Sequence, residues 1–178
     1  MHPRVGMPSG DPVYDYPRMS TDPVSGLTQG RLIRDSEIRL WIYQHFVDTG
    51  RAPSPVEIAA HFQLTPSDVE DRLRRLQDEA DALVLLPGSS YIWMAEPFSA
   101  VPTSFVVCSG TRQWWGNCIW DALAILALVG TGGSVFTACP HSGQPLVVSA
   151  TNGGLEDAQG IVHFAVPARE WWRDVGFT

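Results

Sequence analysis

Lysine is absent from the chain: all 12 basic side chains are arginine, set against 19 acidic ones. The resulting formal charge of −7 argues against non-specific attraction to nucleic acid or to an anionic membrane. Cysteine is scarce. Cys108, Cys118 and Cys139 form an odd set without regular spacing, which argues against a secreted disulfide framework. No Cys-x-x-Cys and no histidine pair is present to build a structural zinc site. A basic segment leading into an apolar one is missing at the start, and no uninterrupted apolar run reaches spanning length. The longest, Ile119 to Val129, is broken by Asp121. These absences predict a cytoplasmic protein with reduced thiols and no membrane partner. The remainder is ordinary for a globular protein: 178 residues, 44% hydrophobic and 17% charged, are enough for one good core or two small ones sharing an interface.

Residues 1–30 carry Pro, Gly, Ser and Asp without an apolar period, and are expected to form a disordered leader. From Asp35 a helical spacing emerges through Ile38, Trp41, Ile42, His45 and Phe46, with Gly50 as a stop. Ser54-Pro55 opens a short second helix. Thr65-Pro66-Ser67-Asp68 opens a third, with Val69, Leu73 and Leu76 inward and Arg72, Arg74 and Arg75 outward. Two apolar runs, Ala82 to Leu86 and Tyr91 to Met94, flank Pro87-Gly88-Ser89-Ser90 and predict a hairpin. Three helices and a hairpin outline a winged-helix-like domain over 31–96. Its third helix carries acidic residues among the arginines, so nucleic acid is not the expected partner.

Residues 97–178 read as a second, mixed α/β domain, and the whole chain as α+β. Strands are expected at Thr103 to Cys108, Val135-Phe136, Leu146 to Ser149 and Ile161 to Val166. A helix is expected from Cys118 to about Leu128, and a helical turn after Pro167.

The densest chemical signal is Trp115-Gly-Asn-Cys118-Ile-Trp-Asp121-Ala-Leu. Asn117 is a good N-cap, which would put Cys118 on the first helical turn, where unpaired N–H groups lower a thiol's pKa. Asp121, three residues on, shares that helix face. Two acidic groups among tryptophans repel, which raises the carboxyl pKa and makes it a usable proton donor. Taken singly, each residue has a plainer reading: the cysteine as core packing, the aspartate as a dipole partner, the tryptophans as core.

In combination these motifs resemble the organomercurial (alkylmercury) lyase family. The resemblance rests on that segment, on Cys139-Pro-His-Ser-Gly-Gln-Pro-Leu, and on Val162-His-Phe-Ala-Val-Pro167 followed by Trp171-Trp172 and Gly176-Phe177-Thr178. It implies a lyase for mercury detoxification. Cys118 would ligate mercury and Asp121 would deliver a proton to carbon as the carbon–mercury bond breaks. Small thiols would be partners, and so would a mercuric reductase. Mercury would enter as substrate and leave as product, with no resident cofactor. The resemblance also implies a second active-site cysteine beyond the stretch matching Trp171 to Phe177. The expectation is therefore a chain truncated before that residue, or a member that has lost it. Cys139 is a secondary candidate metal ligand beside Cys118. His141 and His163, also considered as ligands, read more plainly as surface or core residues. A non-catalytic soft-metal-binding protein and a winged-helix regulator on the same fold are the alternatives.

Overall fold

The structure is a computed structural model that describes residues 33–80, 83–151, 154–156, 160–164 and 166–173. The expected leader over 1–30 lies outside the described residues, as do the outermost ends of both expected domains.

Three helices come first, and their ends follow from local chemistry. Helix α1 (Asp35–Thr49) stops at Gly50, which adopts φ 76° and donates its N–H to the Phe46 carbonyl. Helix α2 (Pro55–Phe62) starts with a reciprocal cap: Ser54 Oγ accepts from Glu57 N at 3.2 Å, and Glu57 Oε2 accepts from Ser54 N at 2.8 Å. Helix α3 (Pro66–Ala80) opens the same way, with Asp68 N donating to Thr65 Oγ1 at 3.1 Å. Not all of its arginines face free solvent. Arg72 and Arg75 reach Asp35 at 2.7 and 2.9 Å and tie α3 to the start of α1.

Among the described residues, the strands form one eight-stranded antiparallel sheet in the order β1-β2-β3-β5-β4-β6-β7-β8. The strands are β1 (Val84–Leu85), β2 (Ile92–Ala95), β3 (Phe98–Ser99), β4 (Val106–Ser109), β5 (Arg112–Gly116), β6 (Gly133–Ala138), β7 (Pro145–Thr151) and β8 (Gly154–Glu156). The β1–β2 hairpin does not stand apart, because β2 pairs onward with β3 and β3 with β5. Position 96, the expected domain boundary, thus falls inside a continuous sheet. Helix α4 (Ile119–Val129) crosses between β5 and β6, and a 3₁₀ helix spans Ala168–Arg173.

One core joins both halves. Ile38, Ile42 and Phe46 of α1 pack in the same cluster as Phe98, Val107, Trp114 and Val135 of the sheet and Ala122, Ile125 and Leu126 of α4. Trp114 carries the junction: its ring is buried, and its Nε1 donates to the Phe46 carbonyl at 2.7 Å. Phe46 and Phe98 stack beside it with centroids 5.1 Å apart. Fully burying such a side chain contributes about 1.5–3 kcal/mol each.

Trp114 and Trp115 belong to strand β5, which the sequence patterns did not assign. One local expectation is corrected. The described residues of Ile161 to Val166 form no strand, and Ile161 is 95% exposed. Alternation alone cannot make a strand without a neighbour to pair with.

Candidate functional site

Strand β5 ends at Gly116, and two residues later the chain enters α4, so Asn117 and Cys118 form a tight strand-to-helix corner. Gly116 makes that corner possible. A Cβ at this position would stand 2.7 Å from the Ala122 backbone nitrogen and 2.9 Å from its Cα. The first turn of α4 therefore lies directly on the end of β5.

The cap differs from the sequence expectation. Cys118 itself, with extended φ −142° and ψ −178°, is the N-cap residue, and Asn117 precedes it. Helix α4 begins one residue later than Asn117 capping would give. The amides of Trp120 and Asp121 still favour a charged sulfur, although the thiol makes no formed cap hydrogen bond. Their influence is outweighed. Burial pushes the Cys118 thiol above its ordinary range, and the neighbouring Asp121 charge adds to the shift. The lowered thiol pKa expected from the helix start is thus corrected: desolvation of the half-buried sulfur beats the first-turn amides.

Asp121 behaves as expected in direction, but chiefly for another reason. Burial raises its carboxyl, opposed by a hydrogen bond from the Cys118 thiol and by Asn117. Asn117 lies beside this carboxyl without completing a hydrogen bond. Among the described residues, its buried Nδ2 and Oδ1 have no partner. Thiol and carboxyl are therefore neighbours that influence one another, and both are biased toward their neutral forms.

Sequence reasoning missed a third acidic group. Glu96 is exposed on the turn between β2 and β3, and its carboxyl is raised by partial desolvation and by the charge of Asp121. Only long-range pairing brings it there: Phe98 pairs with Gly116, so the turn before β3 meets the end of β5 where the corner begins.

Cys139 has different surroundings. It sits on the turn after β6, where Ser142 and the amides of Ser142 and His141 hold its thiol below the ordinary range. Its influential neighbours are these rather than Cys118 or Asp121. All three cysteines are free thiols. Among the described residues, no group of three or more His, Cys, Asp or Glu side chains could hold a metal ion. His163 lies instead in an open, largely apolar cleft of about 630 Å³ with Trp120, Phe164 and Trp171.

The fold and the corner define a mixed α+β protein with a thiol–carboxyl pair at a helix start. Residues 98–178 match the family described as alkylmercury lyase, so the resemblance read from the motifs is borne out over this region. The fold is also similar to a crystal structure of the mercury-bound form of MerB2, with a TM-score of 0.55 and 20% identity. That likeness covers 69% of this chain and 58% of the solved one, so the chain spans less than two thirds of its structural relative. No curated protein matches the chain. Among the described residues, no helix is long and apolar enough to cross a membrane.

Proposed function

We propose that the protein is an alkylmercury lyase-like enzyme that cleaves carbon–mercury bonds by protonolysis, with Cys118 as mercury ligand and Asp121 as proton donor. The observation that carries this reading is the pairing, within the region that matches the alkylmercury lyase family, of the Cys118 thiol with a neighbouring carboxyl that burial keeps ready to hold a proton. Mercury is a soft ion and a thiolate is its fitting ligand.

An organomercurial arrives on a small thiol, R–Hg–SR′. Cys118 sulfur bonds to mercury and the small thiol leaves carrying the Cys118 proton. Asp121, whose carboxyl burial biases toward the protonated form, then gives its own proton to the carbon. The carbon–mercury bond breaks with its electron pair going to carbon, so R–H departs and Hg(II) stays on sulfur. A second small thiol takes up the Hg(II), and a mercuric reductase is the partner expected to receive it. General-acid assistance of this kind is worth about 10²–10⁴-fold in rate. The chemistry suits a cytoplasmic protein whose thiols are reduced. Cys139, whose turn lowers its thiol pKa, is proposed as a secondary thiol able to hold mercury.

Cys118→Ser tests the reading. It should abolish hydrocarbon release from methylmercury and sharply weaken mercury retention. Undiminished hydrocarbon release from this variant would remove Cys118 from the mechanism.

A further inference from the structure

The side chain of Asn117 is left over at the corner. Its Nδ2 and Oδ1 are both buried, and neither has a hydrogen-bond partner among the described residues. A buried polar group without a partner destabilises a fold, so native proteins keep few of them, and each that persists calls for a reason. The backbone on both sides of this residue is fixed. Before it, Gly116 N–H donates to the Phe105 carbonyl at 3.0 Å, and Thr103 Oγ1 donates to the Gly116 carbonyl at 2.6 Å. After it, Ala122 N–H donates to the Cys118 carbonyl at 3.0 Å, which opens α4. Residue 117 is thus clamped between the end of β5 and the cap of α4, with its carboxamide beside the Asp121 carboxyl.

During the reaction the demand on that carboxamide changes. Burial raises the Asp121 carboxyl in the resting protein; of the groups that oppose it, the Cys118 thiol comes first and Asn117 second. Once mercury sits on the sulfur, the S–H donor is gone. When Asp121 then gives its proton to carbon, a carboxylate is left in a partly desolvated place and short of one donor. Asn117 Nδ2 is free to supply it. A hydrogen bond to an ionised oxygen is roughly twice as strong as one between neutral groups. An interaction that tightens as charge develops lowers the barrier, whereas one equally strong throughout only tightens binding.

We infer that Asn117 is a positioning residue for the proton transfer: its carboxamide stays unpartnered in the resting protein and donates from Nδ2 to the Asp121 carboxylate as the proton leaves for carbon. The inference rests on the lyase reading of the same pair. It also gives the destabilising amide a reason to be there.

Two variants of the full chain test it. Asn117→Leu keeps nearly the same branched shape without polar atoms, and Asn117→Ala removes the amide and leaves its space open. Each protein is given methylmercury over a range of concentrations in single-turnover conditions. Methane is measured by gas chromatography, and mercury on the Cys118 peptide by mass spectrometry. Circular dichroism melts of the unloaded proteins supply a readout that needs no turnover.

Both variants should release methane roughly 10–100-fold more slowly at saturation, the worth of one hydrogen bond to a charged group. The half-saturating concentration and the mercury retained should stay native. Asn117→Leu should melt at or above the native temperature, because replacing an unsatisfied buried group by an apolar one of the same shape is neutral or stabilising. A purely structural amide would give the opposite sign, so a lowered melting temperature in Asn117→Leu overturns the inference. Native-rate release from either variant overturns it as well, while leaving the lyase reading standing. Absence of methane from the native protein sinks the lyase reading, and this role with it.

Discussion

Replacing Gly116 by alanine should separate activity from stability. The residue's φ lies outside the left-handed region, so the cost of a side chain comes from contact alone. The added Cβ would meet Ala122, a buried residue of α4, at 2.7 Å from N, 2.9 Å from Cα and 3.1 Å from Cβ. Comfortable carbon contacts lie at about 3.5–4.0 Å, so the start of the helix must withdraw by roughly 0.7–1 Å. Overpacking of this kind costs about 1–3 kcal/mol. For a chain of this size that lowers Tm by about 2–12 °C, which leaves a folded protein at 25 °C. The same displacement moves Cys118 and Asp121 relative to anything bound in the corner, and a misplacement of about 1 Å costs roughly 10²-fold in rate. Circular dichroism melts and gas-chromatographic assay of hydrocarbon release at saturating organomercurial measure the two effects. A Gly116→Ala protein with native Tm and native rate would refute the close packing of α4 on β5 as the device that sets the site.

Trp114→Phe keeps an aromatic ring but leaves a small cavity and removes one of the two donors to the Phe46 carbonyl, which Gly50 N–H still reaches, and should cost about 1–3 kcal/mol in urea unfolding. A native midpoint would show that the bond between α1 and the sheet contributes nothing. Burial raises the Cys118 thiol while Ser142 and its neighbours lower Cys139, so near neutral pH iodoacetamide should label the Cys139 peptide first. The reverse order in mass spectrometry would contradict both directions. Asp121 has a raised folded pKa, so its stabilising contribution is complete below the ordinary carboxyl range and lost as pH rises through the folded value. Asp121→Asn should therefore be more stable relative to the native protein at about pH 7 than at about pH 3. A stability difference that does not change with pH would deny the shift. The depressed carboxyls of Asp35 and Glu57, whose stabilisation is lost on acidification, are common to both proteins and cancel.

Much of the local architecture is legible in the sequence because local chemistry dictates it. Gly50 ends α1 in a left-handed residue, and Ser54 and Thr65 cap helices that each open on proline. The thiol–carboxyl pair is equally visible, since a three-residue spacing at a helix start fixes their adjacency. What escapes is long-range. Nothing near Trp114 announces that it will bond to Phe46, and the pairing of β3 with β5, which closes one sheet across both halves, is written in no local pattern. Glu96 escapes for the same reason, because it reaches the site only through that register. The direction of the Cys118 shift is misjudged because desolvation depends on what covers the sulfur, whereas the helix-start effect can be read from the chain alone.

In the proposed mechanism mercury capture and proton delivery belong to different side chains, and Asp121→Asn separates the two. Loaded with methylmercury in single-turnover conditions, the variant should retain mercury on the Cys118 peptide as the native protein does. Its methane release should fall about 10²–10⁴-fold. Native-rate methane release from Asp121→Asn, or loss of mercury retention in step with activity, would contradict the assignment of the proton to Asp121.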